Sequence, residues 1–217
     1  MPVPAQPKIF HIVHVDRLAS IARDGWILSD AAIRPQNRPG TAIGMNNIKE
    51  RRLRLPLSSH PGLMVGGCAP FYFCPRSVML YLICMRNAEL AYRGGQEPIV
   101  HLEGDLHSAV AWAQANARRW AFTLSNAGAF YFEDRSDLAQ LGEINWGAVE
   151  ARRWGGNGVD RSVKEGKQAE FLMEAAFPWH LIERITVHSQ EIALRADAAL
   201  NGIAHRPPIQ ILRDWYY

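Results

Sequence analysis

The chain has 217 residues, 48% of them hydrophobic, which is enough for one large domain, or at most two small ones, with a real core. A net charge of +3 and a pI of about 8.9 permit nucleic acid or another anionic ligand without demanding one. Cys68, Cys74 and Cys84 form no CxxC pair and no HExxH occurs, which argues against a structural zinc site and fits a reducing interior. The N-terminal MPVPAQPK has no apolar signal segment, and the longest apolar run, SVMLYLICM, falls short of the ~20 residues of a membrane span, so a cytoplasmic protein without membrane association is expected.

In chain order, IFHIVHV predicts a strand over Ile9 to Val15. Asp16 is a candidate N-cap for a helix carrying Leu18, Ile21 and Ala22, and Gly25 stands where a helix end favours positive φ. From Ser29 to Asn47 the sequence reads as a long loop, of the kind that is functional or disordered in a compact domain. A short helix over Ile48 to Arg54, a strand in APFYFC and a helix capped by Ser77 follow. PIVHL predicts a strand, Asp105 caps a helix, and AFTL (Ala121 to Leu124) is another strand. Ser125 to Gln168 is weakly patterned, with a short helix near Asp137 to Leu141. AEFLM and IERITVHS then read as strands, Glu191 to Leu200 as a helix and IQILR as a last strand. This is a mixed α+β pattern in which antiparallel strands and two long loops face a site. Neither GxGxxG nor a P-loop is present.

Four constellations carry chemistry. On a strand His11 and His14 point to opposite faces, so they do not hold one metal ion together, and each is a local network residue or one lines a cleft. Arg34, Arg38, Lys49, Arg51, Arg52 and Arg54 are either a solvated run or a phosphate clamp. In a helix Arg51 and Arg52 diverge by about 100°, so one can face a cleft and the other away from it. Phe71, Tyr72, Phe73 and Tyr81 surround Arg76 in sequence, as core or as a stacking platform. Glu170 opens the apolar run Phe171-Leu172-Met173. It is either a strand-edge carboxylate paired with Lys167 or a group put to use.

These pieces resemble the DarT family of DNA ADP-ribosyltransferase toxins. The matching stretches are IFHIVHVDRLASI, NNIKERRLRLPL, APFYFCPRSVMLY, GGQEPIVHL, KQAEFLMEAAFPWHLIERI and RDWYY, spread over residues 9 to 217. The resemblance implies a single α+β domain over 1–217 with the ADP-ribosyltransferase fold, a split, mostly antiparallel sheet with flanking helices. It also implies an NAD-binding loop at about 33–54 and a substrate-binding turn-turn loop at about 123–170. Carried over by motif, Glu170 and Arg52 are the catalytic pair. His11, Ile12, Val13, Ser20, Leu28, Arg52 and Phe71 are expected at NAD, and Arg51, Arg54, Tyr72, Arg76 and Met79 at DNA, with no metal. The implied activity is transfer of ADP-ribose from NAD to a base in single-stranded DNA, with the closer match to the thymidine-modifying branch. The implied partner is a macrodomain antitoxin of the DarG type. An acceptor of RNA or protein, or a non-catalytic nucleic-acid module, is the alternative.

Overall fold

A computed structural model describes residues 1–36 and 40–217; Arg38 and the middle of the first long loop lie outside the described residues. Strand β1 (Lys8–His14) runs into a 3-10 turn (Val15–Arg17) and helix α1 (Leu18–Asp24), and Gly25 ends that helix with φ +77°, as its position predicts. Asp16 is not the helix cap. His14 caps the turn by accepting from the Asp16 N–H, whereas the Asp16 carboxylate accepts from the Thr41 N–H (3.1 Å) and hydroxyl (2.7 Å), tying down the far end of the first loop.

That loop is partly ordered. Strand β2 (Trp26–Leu28) leads to helix α2 (Asp30–Ile33), capped by Ser29, and helix α3 (Asn46–Arg52) begins two residues before its expected start. Strand β3 (Cys68–Tyr72) precedes α4 (Val78–Cys84), and β4 (Ile99–Asp105) precedes α5 (Leu106–Ala115). Ser77 and Asp105 cap the two helices as expected. Strands β5 (Trp120–Thr123) and β6 (Asp134–Arg135) follow, then a 3-10 helix at Leu138–Glu143 where a short helix was expected, then α6 (Trp146–Glu150) and α7 (Arg161–Gly166). The chain closes with β7 (Glu170–Glu174), β8 (Ala176–Pro178), β9 (Ile182–Val187), α8 (Gln190–Ala199) and β10 (Ile209–Ile211).

Eight strands form one sheet in the order β10-β9-β4-β1-β3-β7-β5-β6, while β2 and β8 pair apart from it. All pairs are antiparallel except β9 with β10, which helix α8 connects in parallel. The side chains of β7 alternate as its sequence predicts: Phe171 and Met173 join the main core with Phe71, Phe122 and Phe177, and Leu172 joins a second cluster with Leu55, Leu57 and Leu63.

His101, on β4, is fully buried and donates through Nε2 to the Pro75 carbonyl at 3.0 Å; burial pushes its pKa down to about 4. A folded-state value below the ordinary ~6.5 means that unfolding takes up a proton in acid. The His101 contribution is therefore intact above pH ~6.5 and lost as pH falls towards 4, by about 3 kcal/mol in all. Urea titrations between pH 7 and 4.5 should show this decline, and His101→Phe should flatten it.

Candidate active site

β1 and β3 are neighbours in the sheet, yet they are registered at a single pair, Phe10 with Tyr72, whereas β1 and β4 pair along the whole of β1. Pro70 explains the break. A strand residue directs its N–H and C=O to the same side, and Pro70 has no N–H to give. Its carbonyl is taken instead by a side chain, the His11 Nδ1 at 2.7 Å. The sheet thus splits between β1 and β3, and a cavity of about 360 Å³ opens there, within the size range of small-molecule sites. A carbonyl only accepts, so His11 carries its proton on Nδ1 and Nε2 is left as an acceptor. Burial lowers the His11 pKa and keeps the ring neutral.

Glu170 begins β7 beside that split, directly across from Tyr72 on β3. It is buried and paired, though not with Lys167, whose ammonium is itself buried and donates to the Val149 carbonyl. Its partner is Arg52 from the last turn of α3: Nη1 donates to both carboxylate oxygens (3.1 and 2.9 Å) and Nη2 to Oε2 (2.9 Å). The backbone N–H of Glu170 donates to the Thr123 hydroxyl at 3.0 Å, and that hydroxyl donates on to the Ser125 carbonyl. The carboxylate is held by a two-pronged guanidinium, and the backbone that carries it is tied to β5. Burial alone would lower the Arg52 pKa, but the charge and hydrogen bonds of Glu170 outweigh it and raise it, so Arg52 is a permanent cation. Its Nε is buried without a partner among the described residues. Tyr72 stays neutral, its pKa raised by burial and then by the Glu170 charge.

α3 reaches this position because its end packs on the 3-10 turn Val65–Gly67. A Cβ at Gly66 would lie 2.8 Å from the Leu53 nitrogen and 2.9 Å from its Cα, so only glycine lets the two backbones approach. Arg52 and Arg51 do diverge: Arg52 is buried in the cavity, while the Arg51 guanidinium lies 5.6 Å from the Phe130 ring.

Of the expected cofactor residues, His11, Ile12, Val13, Ser20, Leu28 and Arg52 line the cavity with Glu170, and of the expected DNA residues Tyr72 and Met79 do. The rest lie elsewhere. Phe71 has no exposed surface and is packed between the rings of His11 and Phe177, so it supports the histidine from beneath. Arg54 is exposed and does not line the cavity. Arg76 is engaged by the C-terminal tyrosines rather than by Phe71, Phe73 or Tyr81: it donates to the Tyr216 carbonyl at 2.7 Å and covers the Tyr217 ring at 4.2 Å. His14 also lines the cavity, but among the described residues no three His, Cys, Asp or Glu side chains gather as a metal site would need.

Three loop cations border the cavity. Arg17 donates to the carbonyls of Gly40 and Thr41 (2.8 Å each), Arg34 pairs with Glu50 at 3.0 Å and Lys49 with Asp30 at 3.1 Å. Pairs of this kind can exchange partners with a phosphate group, and the acceptor on His11 suits a sugar hydroxyl; the residues present therefore fit a dinucleotide. Sequence reasoning missed Thr123, which has no local signature because its partner is 47 residues away. It also missed Phe130 and Tyr131, which are 79% and 66% exposed beside Arg51 and Arg161. Two adjacent aromatics in a weakly patterned loop were the available signal.

The family model described as DarT, ssDNA thymidine ADP-ribosyltransferase, matches residues 10–217. A DNA ADP-ribosyl transferase of Thermus sp. (strain 2.9) is 38% identical over 216 residues, covering 99% of this chain and 98% of that protein. The structure of Thermus sp. 2.9 DarT in complex with ADP-ribosylated ssDNA superposes with a TM-score of 0.88 at 34% identity, over 100% of this chain and 99% of that one. The same protein in complex with NAD+ gives 0.82 at 33% identity, over the whole of both chains.

Arg52→Met leaves the Glu170 charge buried without its partner and should destabilise the fold by about 3 kcal/mol. Adding Glu170→Gln should recover much of that loss, because the second substitution removes the uncompensated charge. Denaturant unfolding of the two single variants and the double variant measures the coupling. Additive losses would mean that the two charges do not compensate one another.

Proposed function

We propose how the residues of this chain, which belongs to the DarT family of ssDNA thymidine ADP-ribosyltransferases, divide the work of the reaction. The enzyme transfers ADP-ribose from NAD to a thymine base in single-stranded DNA on an ADP-ribosyltransferase fold. The observation that carries the residue assignment is the buried Arg52–Glu170 pair, facing His11 across the split in the sheet.

Breaking the nicotinamide–ribose bond builds positive charge on the sugar, as glycoside hydrolysis does. Glu170 is the carboxylate that stabilises this charge. Its place at the head of a core strand, its bond to Thr123 and its pairing with Arg52 fix it before the substrate arrives, which is where electrostatic catalysis gains most. His11 offers a neutral acceptor to a ribose hydroxyl. The loop at about 33–54, which Arg17 pins at Gly40 and Thr41, encloses the dinucleotide and supplies Arg34 and Lys49 to the phosphates.

Thymine must lose its N3 proton to attack. A guanidinium held above its ordinary pKa does not take that proton, which passes to hydroxide or water from the solvent; as a cation beside the base it lowers the N3–H pKa and steadies the anion. Tyr72 and Met79, at the cavity wall, are the residues placed to hold the base. The turn-turn loop at about 123–170 receives the strand, with Arg51 and the exposed rings of Phe130 and Tyr131 as a stacking surface for neighbouring bases. The thymine N3 edge is hidden in a duplex, so extruding it costs roughly a few kcal/mol and single strands are preferred.

We read the whole chain as one transferase domain and as the toxin of a pair whose antitoxin is a macrodomain protein that removes ADP-ribose, acting in the cytoplasm; the support is the family resemblance. No helix among the described residues is long and apolar enough to cross a membrane.

Glu170→Gln should lower transfer to a thymine-containing oligonucleotide by about 10²- to 10³-fold with NAD affinity preserved. Mass spectrometry of the labelled strand and calorimetric titration of NAD measure the two quantities, and near-normal turnover would remove the assignment. The rate should rise with pH as N3–H is lost, and Arg52→Lys should move that rise to higher pH while keeping part of the activity if charge is what matters. Complete loss in Arg52→Lys would assign the planar fork to positioning the base. A strand annealed to its complement should be labelled far more slowly than the same strand alone.

A further inference from the structure

We propose that Tyr217 is a positioning residue for the acceptor strand, setting where the exposed, arginine-bearing segment 151–160 sits relative to the α4 wall of the cavity. The inference rests on the reading of the turn-turn loop as the acceptor loop.

Between α6 and α7 the chain runs through Ala151-Arg152-Arg153-Trp154-Gly155-Gly156-Asn157-Gly158, with no regular structure and positive φ at Gly156 and Gly158. Arg152, Arg153 and residues 155–158 are exposed, and Trp154 alone turns inward, 7% exposed. A glycine-rich segment of this kind has little intrinsic preference for one conformation, so its position depends on that single anchor.

The anchor is built by Tyr217. The Trp154 indole N–H donates to the Tyr217 hydroxyl at 2.9 Å, and the hydroxyl donates to the Arg76 carbonyl at 2.9 Å. Tyr81 of α4 stands edge-on to both rings, 5.1 Å from Trp154 and 5.1 Å from Tyr217. The same helix supplies Val78, Met79 and Leu82 to the cavity. Tyr217 is itself fixed from several sides: its N–H donates to Gln96 at 3.0 Å, its carbonyl accepts from the same amide side chain, and Arg76 lies over its ring. One hydroxyl therefore joins the glycine-rich segment to the start of the helix that carries Met79. Neither Arg52 nor Glu170 hydrogen-bonds to this cluster; they sit on α3 and β7 and are held by each other and by Thr123. The chemistry and the placement of the acceptor are thus separable in the structure.

The tests are Tyr217→Phe, which keeps the ring over Arg76 and deletes the shared hydroxyl, Trp154→Phe, which deletes the donor, and the double variant. Losing one well-formed hydrogen bond corresponds to roughly fivefold to tenfold in binding. Each single variant should raise the KM for a thymine-containing oligonucleotide by about that factor, with kcat and the KM for NAD within about twofold. The double variant should be no worse than the worse single one, because both substitutions break one joint. An unchanged oligonucleotide KM, additive effects, or a parallel loss in NAD KM and kcat would overturn the proposal. If Tyr217→Phe does not fold, Trp154→Phe alone carries the test by the same criterion. Phe130→Ala and Tyr131→Ala separate this proposal from the reading beneath it. If they raise the oligonucleotide KM and the joint variants do not, only the joint is wrong. If none of the four does, the acceptor-loop reading fails as well.

Discussion

The missing N–H of Pro70 is the constraint on which the site depends. An antiparallel sheet of this size would otherwise run unbroken, and its middle would be filled by paired backbone. With no donor at Pro70, pairing between β1 and β3 shrinks to one register position, and the imidazole of His11 takes the orphaned carbonyl. The two halves of the sheet stay joined by that one register pair and by a side chain. A cleft between them then needs no long insertion to form it, and strand residues of both halves border it: His11 from one, Tyr72 and Glu170 from the other.

What occupies the cleft follows from electrostatics. A carboxylate 3% exposed has given up its hydration, and the two-pronged guanidinium of Arg52 offers the geometry that best offsets that loss. A hydrophobic pair of similar size would serve stability as well or better. The chain nonetheless carries a charged pair in the cavity wall, next to a neutral histidine and a neutral tyrosine. The fold accepts the cost through its core, where the rings of Phe71, Phe122, Phe171 and Phe177 lie fully buried around the same strands.

Local chemistry was readable in the sequence wherever one or two neighbouring residues decide the outcome. Ser77 and Asp105 cap helices and Gly25 ends one because each acts within four residues of itself. The alternation in β7 was equally plain, because both of its faces are buried against different clusters. Failures share a cause. Asp16 resembles a cap, yet Thr41 offers its carboxylate two donors from a distant loop. Lys167 is near Glu170 in sequence but buried against Val149, while the true partner lies 118 residues away. The aromatics that meet Arg76 come from the other end of the chain, 140 residues on. Strands β2 and β8 have three residues each, too few for periodicity to show. The proposed catalytic pair was legible only through the resemblance, since nothing in the composition around Arg52 separates it from Arg51.

The close approach at Gly66 has a genetic consequence. A methyl group there would press on the backbone of Leu53, the residue that follows Arg52, and would lever the last turn of α3 away from β7. The change would touch no substrate and would leave most of the core in place, yet the guanidinium would no longer reach its carboxylate. Substitutions at this glycine would therefore part Arg52 from Glu170 while altering neither residue. Judged by activity alone they would pass for lesions in the chemistry, although the atom at fault is a carbon several bonds from any charge.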